Sequence, residues 1–248
     1  LYTTAEDVGT SVEDCVIIRR ETKHVTGLPR EMGSSGDPSP FTAKGTFLGM
    51  KACIEKALGT DSFKDVRVAV QGAGHVAIHL CRYLWEAGAR LIITDIVKEK
   101  AEEVAQRYGA KMVAPDEIYD VDCEIYAPCA LGATVNDDTV PRLKCKIVAG
   151  AANNTCLTEE HGDRLRERGI LYAPDFVINA GGIINVSVEL EPGGYNEDRA
   201  NDKVNHIYEA VKSVIEYADE HSIATNRAAV QFAESKIAAG RKKKEAGG

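Results

Sequence analysis

Gly72, Gly74 and Ala77 fall at the spacing of a turn that can cradle phosphate. They lie within the run Val66-Arg67-Val68-Ala69-Val70-Gln71-Gly72-Ala73-Gly74-His75-Val76-Ala77. Gly72 permits a turn that a Cβ would obstruct, and Gly74 lets backbone come close to a pyrophosphate. Ala77, in the third position of the pattern, is small enough for the following helix to lie against the strand. Amides in the stretch Ala73, Gly74, His75 and Val76, at the positive end of that helix, receive the phosphate charge. About 20 positions on, Arg90-Leu91-Ile92-Ile93-Thr94 runs into Asp95 and Ile96, and a carboxylate there accepts hydrogen bonds from an adenosine ribose. Together these features read as a dinucleotide site. Asp95 also repels a 2′-phosphate, which favours NAD over NADP, with Lys98 and Lys100 close by as a counterweight.

Three more segments combine small residues with polar groups at the ends of predicted strands: Ala127 to Gly132 with Ala130 near its centre, Gly150 to Asn154 with Asn153, and Asn179 to Gly182. In a doubly wound sheet, ligands bind outside the carboxyl ends of the strands, so these loops are expected to converge on the dinucleotide. Small residues let a cofactor approach backbone, and amide side chains can bond ribose, carboxamide or carboxylate.

The elements that must position these residues follow from periodicity. Strands are predicted at 66–70, 90–94, 111–113, 123–127, 146–149 and 170–173. Helices are predicted at 75–87, 98–108 and 159–168 between them. Alternating elements with Val- and Ile-rich strands specify an α/β fold, a doubly wound, mostly parallel Rossmann-type sheet covered on both faces. Before it, Ser11 to about Thr22 reads as a helix capped by Thr10 or Ser11, with Glu13 and Asp14 in its first turn. Residues 33–40 are rich in Gly, Ser and Pro and read as a loop, and helical periodicity resumes from Thr42 to Leu58. Helices at 202–220 and 225–241 follow the last strand. This divides the chain into 1–38, 39–200, which is the nucleotide domain, and 201–248; a family resemblance makes 1–38 the tail end of a substrate domain and 201–248 helices expected to pack back toward it.

A chain of 248 residues with a net charge of -8 is large enough for a sizeable core and disfavours nucleic acid as a partner. No apolar run approaches the ~20 residues of a membrane span. The seven cysteines (15, 53, 81, 123, 129, 145 and 156) form no C-x-x-C pair and lie mostly in apolar surroundings, as expected of buried thiols in a reducing cytoplasm. The six histidines lack metal-ligand spacing, so no metal is expected. The basic tail Arg241-Lys242-Lys243-Lys244 reads as solvated. The chain opens Leu1-Tyr2-Thr3-Thr4 without an initiator Met, as though continuing an upstream segment.

These residues carry a resemblance to the Glu/Leu/Phe/Val dehydrogenase family, and most to its leucine-type members. The matching segments are Thr4 to Thr10, Gly33 to Gly36, Pro40 to Ala43, Gln71 to Ala77, Ile125 to Asp137, Ala149 to Asn154 and Tyr172 to Val186. The resemblance implies reversible, NAD-dependent oxidative deamination of a branched aliphatic L-amino acid to its 2-oxo acid and ammonia, by a homo-oligomer when full length. It makes Asp7 the group that exchanges a proton with the substrate amine and Thr42 the threonine that orients the nicotinamide carboxamide. It puts Asn153, Asn154 and Asn179 along the cofactor and substrate cleft, with Ile183 and Val186 facing the substrate side chain and Ala5 on the opposite wall. The residues alone also fit plainer roles: a turn former for Asp7, and core for Ile183 and Val186. Ala5 with two β-branched residues implies a narrow pocket and graded aliphatic preference, and no Lys or Arg occupies these positions to pair a second carboxylate. The family's two-lysine segment lies upstream of Thr4 by this resemblance, so the chain is expected to hold the cofactor half and the edge of the chemical half. A non-catalytic nucleotide-binding module and a phenylalanine-type dehydrogenase are the alternatives. A 2-hydroxy-acid enzyme is disfavoured because no His–Asp–Arg set stands at recognisable spacing. His75 departs from the family pattern, and its ring is expected to face solvent near the phosphates.

Overall fold

The computed structural model describes residues 2–7 and 9–246. Leu1, Val8 of the Thr4–Thr10 segment and the side chains of Lys242, Lys243 and Lys244 in the basic tail lie outside the described residues. In chain order the elements are α1 (Val12–Glu21), α2 (Ser39–Leu58), β1 (Arg67–Gln71), α3 (His75–Glu86), β2 (Arg90–Thr94), α4 (Lys98–Tyr108), β3 (Lys111–Met112), β4 (Ile125–Pro128) and β5 (Ile147–Val148). Then come α5 (Glu159–Glu167), β6 (Leu171–Tyr172), α6 (Asp175–Ile178), α7 (Gly181–Ser187), α8 (Glu197–Asn205), α9 (Ile207–His221) and α10 (Thr225–Ala246).

The described strands form one parallel sheet in the order β3-β2-β1-β4-β5-β6. From β1 the chain works outward to β2 and β3, then crosses back to β4 on the other side of β1. That reversal leaves a crevice at the carboxyl ends of β1 and β4. Alternation along β1 sends Val68 and Val70 to one face and Ala69 to the other. The first face packs Leu80 and Leu84 of α3, Met50 and Ile54 of α2, and Val211 and Ile215 of α9 into the main core. On the second face, Ala69, Ile92, Tyr126 and Val148 meet Ile118, Leu143 and Leu165. The doubly wound, two-faced sheet is the fold that the strand pattern predicts.

Several local expectations need correction. Helix α2 begins at Ser39, not Thr42, with Pro38 as its cap and Pro40 in its first turn, where a proline costs no hydrogen bond. The 202–220 helix is two helices: α8 starts earlier, capped by the Asn196 side chain, and gives way to α9 at His206. Asn179 to Gly182 is not a strand-end loop, because β6 stops at Tyr172 and this segment joins α6 to α7. The helices after residue 200 share the main core of the sheet through Val204, Ile207, Val211 and Ile215. The N-terminal helix starts at the predicted cap: Ser11 and Asp14 form a reciprocal capping box.

Candidate functional site at the sheet switch point

Gly72 leaves β1 with φ +104, a conformation that L side chains rarely adopt. A Cβ here would lie 2.9 Å from the Cys129 carbonyl and 3.0 Å from the Ala130 Cβ. The glycine is therefore required twice, by its dihedral and by the β4 loop resting on it, with Ala130 exposed at the rim. Gly74 caps α3 without a side-chain cap, and space beside its Cα is open. The first backbone bond of α3 runs from the Ile78 amide to the Gly74 carbonyl (3.0 Å), so the amides of His75, Val76 and Ala77 have no partner within the helix. No acidic residue stands in that first turn. An open glycine mouth with unspent amides and no opposing carboxylate in the turn fits a pyrophosphate.

Asp95 follows β2 and braces this turn. Its Oδ2 accepts the Ala73 amide at 2.7 Å and its Oδ1 the Val97 amide at 2.8 Å. The carboxylate is thereby oriented, and each oxygen keeps a lone pair for a ribose hydroxyl. Ala73 has its amide committed to Asp95 and its side chain 1% exposed, so it shapes the turn without offering a group to the ligand. Ile96 is 90% exposed next to the acid, an apolar surface of the kind an adenine ring covers. Ala77 is fully buried under the helix, as its role in helix–strand packing requires. His75 is exposed at the mouth of α3.

From Gly72 a continuous rim runs to the other loops. Gly132 lets the β4 loop approach Asn153 and Asn154, since a Cβ would lie 2.5 Å and 2.6 Å from their carbonyl oxygens. The Ala133 amide donates to the Asn154 carbonyl at 2.7 Å, and Asn154 itself has φ +51. The Asn179 Nδ2 donates to Asn153 Oδ1 at 2.5 Å and reaches the Ala151 carbonyl at 3.3 Å. Two residues on, Gly181 and Gly182 lie so close to Phe41 and Thr42 that a Cβ on Gly181 would strike the Phe41 carbonyl, and one on Gly182 the Thr42 Oγ1. Thr42, whose hydroxyl donates to the Pro38 carbonyl at 3.2 Å, is thus brought to the junction bearing Asn179.

The N-terminal segment approaches the same cleft. Asp7 is exposed at a tight turn in which its carbonyl accepts the Thr10 amide (2.9 Å) and hydroxyl (2.8 Å). Next to it, burial pushes the Glu6 carboxyl above its ordinary range, aided by Asp37 and Asp7 and opposed by His75. Glu6 therefore lies within electrostatic reach of both the entry to α2 and the mouth of α3. Ala5 is half-buried, and on α7 the predicted wall divides: Ile183 is 68% exposed whereas Val186, one turn on, is 7% exposed. Sequence reasoning missed the bond from Asp95 to Ala73 and the Gly182–Thr42 approach. The acid before Ile96 gives no local sign of a backbone partner 22 residues back, and a Gly-Gly pair reads as a turn.

A parallel doubly wound sheet with an open glycine turn at its switch point, an acid bonded to that turn and an amide-lined rim is the arrangement of a dinucleotide-binding domain. The family model of glutamate/leucine/phenylalanine/valine dehydrogenase matches residues 92–245, and the chain belongs to that family. It is 56% identical over 236 residues to leucine dehydrogenase of Thermoactinomyces intermedius, covering 95% of this chain and 64% of that protein. It is 44% identical over 237 residues to L-tryptophan dehydrogenase of Nostoc punctiforme, with 95% and 66% covered. The crystal structure of the Nostoc punctiforme tryptophan enzyme superposes with a TM-score of 0.85 at 41% identity, over 97% of this chain and 68% of that one. The chain thus spans 64% of the length of the leucine dehydrogenase it matches. Leucine and related amino-acid dehydrogenases of this family are NAD-dependent.

Proposed function

We propose that the protein catalyses reversible, NAD-dependent oxidative deamination of a branched aliphatic L-amino acid, leucine foremost, to its 2-oxo acid and ammonia. The observation that carries this reading is the unbroken rim from Gly72 through Ala130, Gly132, Asn153 and Asn179 to Gly182 and Thr42. It joins the phosphate turn to polar groups suited to a carboxamide and an amino acid. When bound, NAD accepts the hydride that leaves the substrate Cα. In this reading the amides of His75, Val76 and Ala77 bind pyrophosphate, with Gly72, Gly74 and Ala130 giving it room. Asp95 binds the adenosine ribose, and Thr42 orients the carboxamide. Asn153, Asn154 and Asn179 line the cleft between cofactor and substrate, and Asp7 exchanges a proton with the substrate amine.

Leucine dehydrogenases at 56% and 54% identity support the aliphatic choice, and in this reading Ala5 and the exposed Ile183 face the substrate side chain while the buried Val186 backs that wall. A difference of one methylene shifts discrimination by only ~1–3 kcal/mol, so valine is expected to turn over as well. Seven free cysteines, five of them buried, support a reducing, cytoplasmic setting; a homo-oligomer is part of the same reading through the family resemblance. Initial-rate kinetics of the complete protein with leucine, valine, phenylalanine, tryptophan and glutamate test the reading. The highest kcat/KM is expected for leucine or valine. A maximum for an aromatic substrate or glutamate overturns the aliphatic assignment, and NAD binding without turnover of any amino acid overturns the enzymatic one.

A further inference from the structure

Glu189 lies in the 3-10 turn Val188–Leu190 that ends α7, four residues beyond Asn185 and outside the rim described above. Its half-buried carboxylate gathers four donors from one distant loop. Oε1 accepts the Gly27 amide at 2.9 Å, the Ser35 amide at 3.0 Å and the Ser35 hydroxyl at 2.5 Å, and Oε2 accepts the Ser34 hydroxyl at 2.7 Å. The Ser34 Oγ in turn accepts the Leu28 amide at 2.9 Å. Both serines are buried, at 4% and 0% exposure. One anion thus organises the Gly27–Ser35 loop through charge-assisted bonds, each roughly twice as strong as a neutral one.

This loop leads back to Asp7. Immediately before Gly27, the Thr26 amide donates to the Thr4 carbonyl at 2.8 Å and the Thr4 amide to the His24 carbonyl at 3.1 Å. A Cβ on Gly27 would lie 3.6 Å from the Glu6 amide. Residues 4–7 are therefore laced to 24–27, and 27–35 are held by Glu189. The N-terminal segment has a small apolar cluster of its own, Cys15, Val25 and Leu28 with Val16 and Ile18, separate from the main core. A second tie, Arg30 to Glu197 at 2.6 Å, is about half exposed at both ends, where screening leaves little energy. The Glu189 bonds, made to buried serines, are the better shielded of these two ties. The Glu189 turn continues from α7, whose first residues pack on Thr42, so one short helix contacts both the Asp7-bearing segment and the cofactor side of the cleft.

We propose that Glu189 is a positioning residue: its carboxylate sets the Asp7-bearing segment against the cofactor cleft, and so governs turnover without touching substrate or NAD. The inference rests on the dehydrogenase reading for its effect on turnover, while the clasp itself has a readout free of it. The test uses the complete protein with Glu189→Gln, Glu189→Asp and Glu189→Ala, and Ser34→Ala and Ser35→Ala as gentler variants should Glu189→Ala fail to fold. Measured quantities are kcat, the KM for leucine, the Kd for NAD, and amide hydrogen exchange. Exchange at Gly27 and Ser35 is expected to speed up in every Glu189 variant, with the acceleration reaching Thr4 and Thr10 and leaving Ile78 unchanged. Displacement of a catalytic group by about 1 Å can cost roughly 100-fold, so kcat is expected to fall about 10- to 100-fold in Glu189→Gln. NAD affinity stays within about twofold, and Glu189→Asp recovers part of the loss. Ser35→Ala, which removes one of the four donors, gives a smaller fall in the same direction. Unchanged exchange at Gly27 and Ser35 overturns the clasp. Accelerated exchange with normal kcat in the folded variants overturns the positioning role. A wild-type protein inactive on all amino acids, with the exchange response intact, overturns the dehydrogenase reading and leaves the clasp standing.

Discussion

Asp95 and Asp7 are both carboxylates at the cleft, yet their surroundings separate their roles. Asp95 is fixed by two backbone amides, so its removal releases the Ala73 amide that shapes the glycine turn and, in the proposed reading, also strips a charged acceptor from the ribose. Asp95→Ala is expected to weaken NAD binding by about 1–3 kcal/mol, read by fluorescence titration. Unchanged affinity would remove the ribose assignment. Asp7 is exposed on its turn. Asp7→Asn keeps the shape and turn preference but cannot exchange a proton at neutral pH. General acid–base groups contribute ~10²–10⁴-fold, so kcat is expected to fall by that order with NAD affinity constant. A stable Asp7→Asn protein with turnover within a few-fold of wild type would make Asp7 a turn former. At this scale, the phosphate turn and Asp95 were legible because their signals lie within about 20 residues of one another. The four donors of Glu189 were not, since they lie 154 to 162 residues away and belong to serines and a glycine that read as loop.

At the scale of elements, small residues on α2 decide how closely the helices approach. Gly45 faces Ile207 and Gly181, and Gly49 faces Ile178 and Val211, while Gly181 and Gly182 of α7 lie on Phe41 and Thr42. Gly182→Ala is expected to push α7 from Thr42 and to cost about 1–3 kcal/mol by overpacking. It should lower Tm and raise the NAD KM together. A variant with wild-type Tm would mean that this contact is loose. The amino-terminal end of the sheet depends on charge instead. Arg67 donates to Glu124 from its backbone amide at 2.8 Å and from its guanidinium at 2.6 Å and 3.0 Å. These bonds hold the Glu124 carboxyl below its ordinary range. A group whose folded pKa is lowered contributes stability above its unfolded value, about 4.3 for Glu, and loses it as pH falls through the folded value. Melting temperature should therefore drop on acidification below about pH 4, and less steeply in Arg67→Gln; an identical acid slope would contradict the pairing. Helices with caps or amphipathic periodicity, α1, α3 and α4, were readable in the sequence to within a residue or so. The start of α2 was not, because Pro38, Ser39 and Pro40, which look like breakers, serve as its cap and first turn. Nor was the break at His206, which carries neither Gly nor Pro.

For the whole molecule, strand order converts local signals into a site. With β1 between β2 and β4, the Gly72 turn, the Ala130 loop and Asp95 are neighbours, although 58 residues separate Gly72 from Ala130. The alternation of strands and helices made the parallel sheet legible. Convergence of Asn179 and Thr42 was legible only through family resemblance, because it depends on α7 packing against α2. In the proposed function this cleft joins NAD to an aliphatic amino acid. The most direct test of that function is the initial rate of NADH formation by the complete protein, comparing kcat/KM for L-leucine, L-valine, L-phenylalanine and L-glutamate, with NADP tried in place of NAD. NAD-dependent turnover is expected, with leucine or valine highest and NADP poorly used. Turnover highest with glutamate or phenylalanine, or equal use of NADP, would contradict it.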